Sequence, residues 1–135
     1  MEKVVLCEPL RTAIGGFGGS LRDYSAVDLG TIVVKEILEN TSLDPGEVDD
    51  CIIGNILPGS GPNPSRQISV NAGLETGTPA ITINRMCGSG LQSVIYAAQT
   101  IKSEDNSCVI AGGIESMSRG QCTSRFSGRA RRKGG

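Results

Sequence analysis

The chain has 135 residues, of which 38% are apolar and 20% charged, enough for one domain and too apolar for a wholly disordered chain. It contains no histidine, which excludes imidazole catalysis by these residues acting alone, and its two Phe, two Tyr and absent Trp argue against stacking on nucleic-acid bases. The net charge of −1 hides an asymmetry, because residues 1–118 carry 14 acidic and 7 basic side chains whereas residues 119–135 carry 6 basic and no acidic ones.

The N-terminal part of the chain predicts a strand, a loop and a helix in that order. Val4 to Cys7 is an apolar run typical of a short buried strand, and the glycine-rich residues 11–20 indicate a loop. Ser25 stands three residues before Asp28, as in a capping box. Apolar residues then recur at helical spacing, so we expect a helix that runs to about Glu39.

The middle of the chain alternates between strand patterns and a helix pattern. Turn residues at 44–46 lead into a second predicted strand, Asp50 to Leu57. A loop rich in Pro and Gly follows, then a short helix over Ser65 to Ala72 and a third strand over Pro79 to Asn84.

The last predicted helix follows Cys87. Its apolar residues recur at helical spacing and predict a stripe that faces the core, formed by Leu91, Val94, Ile95, Ala98 and Ile101. Cys108 to Gly113 is a fourth strand. Because strands and helices alternate, the fold class is α/β with largely parallel strands.

The five cysteines show no metal-binding spacing. Cys7, Cys51, Cys87, Cys108 and Cys122 form no C-x-x-C pair, so we expect no metal site, and their odd number argues against a disulfide framework. Cys7, Cys51 and Cys108 lie in apolar runs, where a thiol behaves as a small hydrophobic group. Cys122 lies in the basic tail.

Cys87 differs because it stands where a strand gives way to a helix. A helix N-terminus favours a negative charge and therefore the nucleophilic thiolate form of a cysteine. Gly88 and Gly90 leave room for a substrate carbonyl, and backbone N–H groups of the turn could stabilise an oxyanion. The alternative is a structural cysteine beside two packing glycines.

Other segments have structural interpretations beside functional ones. The glycines at 15–19 lack the features of a phosphate-binding loop, so a tight connection is favoured. Residues 63–67 resemble a polar loop that caps a helix. Glu115 is either a general base or a capping residue, and the basic tail either binds nucleic acid or lipid or is a solvated end.

Five ordered stretches carry a resemblance to a known family. The segment Asn84-Arg85-Met86-Cys87-Gly88-Ser89-Gly90-Leu91 resembles the nucleophile motif of the thiolases, the acetyl-CoA acetyltransferase family. Residues 11–21, 59–67, 79–84 and 111–118 agree with the same family in the same order.

The resemblance implies that Cys87 accepts an acyl group from a coenzyme A thioester, which is a substrate rather than a cofactor. Such enzymes condense two acetyl-CoA to acetoacetyl-CoA, or carry out the reverse thiolysis. The implied fold is a layered αβαβα arrangement, of which this chain holds most of the N-terminal half. Family members are dimers or tetramers, and the resemblance places residues 63–67 near the subunit interface. The residues that bind coenzyme A are unknown.

The departures from the family limit what this chain does alone. The family's catalytic histidine and second cysteine come from beyond the matching region, so we expect the isolated chain to be inactive. The alternative function is a non-catalytic truncated fragment that contributes only a subunit interface. We predict an incomplete thiolase N-terminal domain over residues 1–118 and a disordered basic tail over residues 119–135. With no signal peptide or membrane-spanning run, we expect a cytoplasmic protein without membrane or nucleic-acid partners.

Overall fold

The computed structural model describes residues 3–57 and 59–120. In chain order these residues form helix α1 (Ala26–Thr41), strand β1 (Asp50–Gly54), helix α2 (Pro64–Ala72), strand β2 (Ala80–Ile83), helix α3 (Ser89–Lys102) and strand β3 (Val109–Gly113), with one 3₁₀ turn at Pro45–Glu47. The predicted alternation of helix and strand is confirmed from residue 26 to residue 113.

Helix α1 begins at the predicted capping box. The backbone N–H of Asp28 donates to Ser25 Oγ at 3.0 Å, and the backbone N–H of Ser25 donates to Asp28 Oδ2 at 2.8 Å. The Ser25 hydroxyl and backbone N–H lower the pKa of the Asp28 carboxyl. The helix ends at Ser42, which adopts a left-handed conformation with φ of 52°.

The three strands form one parallel sheet in the order β2-β1-β3. The central strand β1 is buried from Cys51 to Gly54, and it packs with α1 and α2 in a core that includes Val34, Ile53 and Ile68. Cys51 is wholly buried there, as expected for a thiol that acts as a small hydrophobic group. Burial, aided by the neighbouring Asp50 carboxylate, raises the pKa of Cys51 to about 12.

The predicted first strand, Val4 to Cys7, is wrong. These residues have no regular structure, Val5 and Leu6 are 71% and 79% exposed, and the Cys7 thiol is exposed as well. A strand requires a neighbour that pairs with its backbone N–H and C=O groups, and the sheet of the described residues has only β2, β1 and β3.

The predicted core stripe of α3 is wrong in part, because three of its members (Val94, Ala98 and Ile101) are half-buried but the other two face outwards. Leu91 is 69% exposed and Ile95 is 40% exposed. The side that packs on the sheet carries small or polar residues, namely Ser89, Gln92, Ser93 and Ala97.

Glycines at the strand ends explain this reversal. A Cβ on Gly54 would lie 2.4 Å from the carbonyl carbon of Ser89, and one on Gly113 would lie 3.0 Å from the Cα of Gly90. The helix backbone therefore rests almost directly on β1 and β3. Only small side chains fit where Ser89 and Gly90 meet these glycines, so Leu91 and Ile95 lie on the opposite side of the helix.

Candidate active site

Cys87 lies at the edge of the sheet where the carboxyl ends of all three parallel strands meet. In open α/β sheets this edge is where ligands bind. A cleft of about 240 Å³ opens here, and its walls include Asn55, Ile56, Met86, Cys87 and Gly113. The thiol of Cys87 is exposed.

The turn that presents Cys87 has an unusual backbone conformation. Met86 has φ of +51°, in the left-handed region, which costs a residue with a side chain about 1–2 kcal/mol. Its N–H donates to Asn84 Oδ1 at 3.0 Å. Ser89 Oγ accepts from the N–H of Arg85 at 2.7 Å and donates to the carbonyl of Met86 at 2.6 Å. Such local strain is common where a side chain must be held for function.

The α3 helix starts immediately after this turn, as the sequence predicts. Gly88 is the N-cap residue and has no side chain to accept from the first-turn N–H groups. No capping side chain therefore covers the positive end of this 14-residue helix, which lies beside Cys87. This position suits a developing negative charge on sulfur or on an acyl oxygen.

The sequence left Glu115 as either a general base or a capping residue, and its hydrogen bonds are those of a capping residue. Its carboxylate accepts from Asn55 Nδ2 at 2.9 Å and from the backbone N–H groups of Ile56 and Leu57 at 3.1 Å each. These contacts join the loop after β1 to the end of β3 and so fix one wall of the cleft. They also explain why β1 ends at Gly54 rather than at the predicted Leu57.

The polar segment at residues 63–67 has the predicted helix-capping role. Asn63 Oδ1 accepts from the N–H of Arg66 at 3.2 Å and from Thr82 Oγ1 at 2.8 Å. Asn63 therefore fixes the start of α2 against β2. The nearness of this segment to a subunit interface stays a prediction.

The glycine-rich residues 15–19 form an exposed connection. The N–H of Gly18 donates to Ser118 Oγ at 2.8 Å, which attaches this loop to the turn after β3. The contact agrees with the favoured interpretation of a tight connection.

The other described cysteines lie outside the cleft. Cys108 is partly buried just before β3, and burial raises the pKa of its thiol, with the Asp49 carboxylate as a smaller cause. Within residues 3–57 and 59–120, no three His, Cys, Asp or Glu side chains lie close enough together to hold a metal ion. The same residues include no helix of the length and apolarity needed to cross a membrane.

Some sequence predictions fall outside the described part of the chain. Residues 121–135, which include Cys122, lie outside the described residues, so the disorder of the basic tail and the boundary at residue 118 stay predictions.

The sequence singles out Cys87 but not the groups that hold the turn before it. Asn84 and Ser89 lie within the quoted motif, but their hydrogen bonds depend on the turn geometry. Asn55 had one detectable signal, since it is a polar residue directly after an apolar strand. It is buried in the structure.

Comparisons with known proteins agree on one family. The family model described as "Thiolase, N-terminal domain" matches residues 4–134. The chain is 45% identical to a "Probable acetyl-CoA acyltransferase" of Staphylococcus epidermidis and 47% identical to an "Acetyl-CoA acetyltransferase" of Pseudomonas aeruginosa. A "Probable acetyl-CoA acyltransferase" of Staphylococcus aureus is 46% identical. Each match extends over 119 residues and covers 87% of this chain but 30% of the relative, so the chain spans less than a third of these relatives' length.

Proposed function

Because this chain belongs to the thiolase family through its N-terminal domain, we propose that Cys87 is a nucleophile that accepts an acyl group from a coenzyme A thioester. One observation supports this role above the others. The exposed Cys87 thiol lies beside the N-terminus of α3, on a cleft lined by the strand-end glycines Gly54 and Gly113. A buried structural cysteine would not have this exposure, as Cys51 illustrates.

The proposed acyl transfer follows from this arrangement. The Cys87 sulfur attacks the carbonyl carbon of the thioester, and the carbonyl oxygen becomes an oxyanion that N–H groups at the helix start stabilise. When the intermediate collapses, the bond from carbon to the coenzyme A sulfur breaks. That sulfur leaves with the electron pair and takes up the proton lost from Cys87. The products are an acyl-cysteine and free coenzyme A.

In the longer family members we propose that this acyl-cysteine is attacked by a second acetyl-CoA, which yields acetoacetyl-CoA, with thiolysis as the reverse. That step needs a base to remove a proton from the acetyl methyl group. The 135 residues contain no histidine, so we propose that they carry out acylation only and that further protein supplies the base. Coenzyme A thioester is a substrate in this scheme, and no resident cofactor is involved.

The alternative function, a non-catalytic piece of a subunit interface, has its own support. The outer face of α3, defined by Leu91 and Ile95, is apolar and exposed, and an exposed apolar surface often marks contact with further protein. Assembly into a dimer or tetramer would be one way to cover it. The two proposals differ in whether Cys87 reacts with a thioester.

Acetylation of the full 135-residue chain by acetyl-CoA tests the proposal. After incubation, mass spectrometry with peptide mapping should find one acetyl group, on Cys87. Cys87→Ser should remove it, whereas Cys7→Ser is the matched control because Cys7 is the other exposed thiol among the described residues. Equal acetylation of Cys7 and Cys87 would contradict a dedicated nucleophile, and no acetylation of either would favour the interface alternative.

A further inference from the structure

The side chain of Asn84 joins the turn before Cys87 to the end of a neighbouring strand. Asn84 Oδ1 accepts from the N–H of Met86 at 3.0 Å, and Asn84 Nδ2 donates to the carbonyl of Ile56 at 3.4 Å. Met86 is the residue with φ of +51°, and both Met86 and Ile56 line the cleft with Cys87. The side-chain amide of Asn84 therefore forms hydrogen bonds both with Met86 and with the loop after β1.

The loop that receives Asn84 is itself held in place. The N–H groups of Ile56 and Leu57 both donate to Glu115, which follows β3. Ser89 attaches the same turn to α3 through Arg85 N and Met86 O. The turn is thus held to the helix through Ser89 and through the Arg85 side chain, which donates to Gln92, and to the sheet edge through Asn84.

We propose that Asn84 is a positioning residue for Cys87, which holds Met86 in the left-handed conformation and thereby fixes the thiol between the helix N-terminus and the cleft. This inference rests on the proposed role of Cys87 as acyl acceptor. Both reactions use the thiolate, but acyl transfer also needs the sulfur aligned with the N–H groups that bind the oxyanion, whereas alkylation forms no oxyanion. Loss of Asn84 should therefore slow acylation far more than alkylation.

The test compares the two reactions at Cys87 in the full chain. The probes are p-nitrophenyl acetate, an active ester that needs no coenzyme A site, and iodoacetamide, both located by peptide mapping. Asn84→Ala should lower the acetylation rate of Cys87 about tenfold, as expected for the loss of two hydrogen bonds, and change its alkylation rate by less than about twofold. Asn40→Ala is the matched control, because Asn40 donates one side-chain hydrogen bond, to Glu8, on the exposed side of α1. The buried Cys51 reports folding, since it should stay unlabelled.

A second substitution tests whether Asn84 acts by holding the backbone of Met86. Glycine adopts the left-handed region as readily as the right-handed one. The double variant Asn84→Ala, Met86→Gly should therefore acetylate Cys87 at a rate within about threefold of Met86→Gly alone. The proposal is overturned if Asn84→Ala leaves the acetylation rate unchanged, or if the acetylation and alkylation rates fall by the same factor while Cys51 stays protected. It is also overturned if the double variant is slowed relative to Met86→Gly as much as Asn84→Ala is slowed relative to the unaltered chain.

A measurement on the unaltered chain tests the hydrogen bond between Met86 and Asn84 even where a variant does not fold. The amide of Met86 should exchange with deuterium at least about tenfold more slowly than the same amide in an unstructured peptide, because its N–H donates a hydrogen bond to Asn84 Oδ1. Exchange at the unstructured rate overturns the proposal. If acetyl-CoA fails to acetylate Cys87 but the ester and exchange results hold, the proposed function fails and the role of Asn84 stands.

Discussion

Replacing Gly54 with alanine should strongly destabilise the chain, because this glycine lies where α3 rests on the sheet. The new Cβ would lie 2.4 Å from the carbonyl carbon of Ser89 and 2.7 Å from both Ser89 O and Gly90 N. These are backbone atoms, so no side-chain rotation relieves the clash. The helix would have to move outwards by about 1 Å to restore ordinary contact distances.

The expected cost is about 3 kcal/mol of the free energy of unfolding, at the upper end of the range for overpacked cores. That is a large part of the roughly 5–15 kcal/mol that stabilises a typical domain. Gly112→Ala is the matched control, because it lies in neighbouring strand β3 and a Cβ there meets nothing within 4 Å. It should change stability by no more than about 0.5 kcal/mol.

Urea unfolding followed by far-ultraviolet circular dichroism measures both variants. With an m value of about 2 kcal/mol/M, the midpoint for Gly54→Ala should fall by about 1.5 M, while that for Gly112→Ala should match the unaltered chain. Equal midpoints for the two variants would refute the claim that close backbone approach at Gly54 sets the position of α3.

Three further predictions test other parts of the structure. Ser25→Ala should cost about 1 kcal/mol at neutral pH through loss of the cap. The fold lowers the pKa of Asp28, so the stabilisation from its carboxylate is present above the unfolded pKa of about 3.9 and is lost as the pH falls through the folded one. The deficit of Ser25→Ala in urea unfolding should therefore shrink as the pH falls below about 4 and should not grow. In native buffer Cys51 should react with iodoacetamide at least about 100-fold more slowly than Cys7, and comparable rates would mean that the core opens readily. The isolated 135-residue chain should show no acetoacetyl-CoA thiolysis above background, and turnover that Cys87→Ser abolishes would contradict its dependence on further protein.

Local chemistry was enough to predict the elements whose causes are local. The capping box at Ser25 and Asp28 locates the start of α1, since both partners lie within one turn of helix. The alternation of elements likewise predicted a parallel sheet, because parallel strands need helical crossovers. The run from Val4 to Cys7 has the composition of a strand, but whether it forms one depends on a pairing neighbour that composition does not reveal.

The candidate site likewise has one part that local sequence predicts and another that depends on distant neighbours. Cys87 stands out in sequence because a thiol between a strand and a helix has a specific chemical consequence. The bonds from Ile56 and Leu57 to Glu115 do not, since these residues are nearly 60 positions apart and meet only because β1 lies beside β3. Side chains that bridge strand ends can be assigned only after the strand order is known.

The strand-end glycines connect the chemistry of this domain with its exposed surface. Gly54 and Gly113 allow α3 to lie close to the sheet, and this places the helix N-terminus and Cys87 at the strand ends. The same contact admits only small side chains, so Leu91 and Ile95 must point away from the sheet. A larger residue at either glycine should push the helix away from the sheet and move the thiol. The position of Cys87 and the apolar outer face of α3 therefore have one structural cause, and a substitution that alters one of them should alter the other.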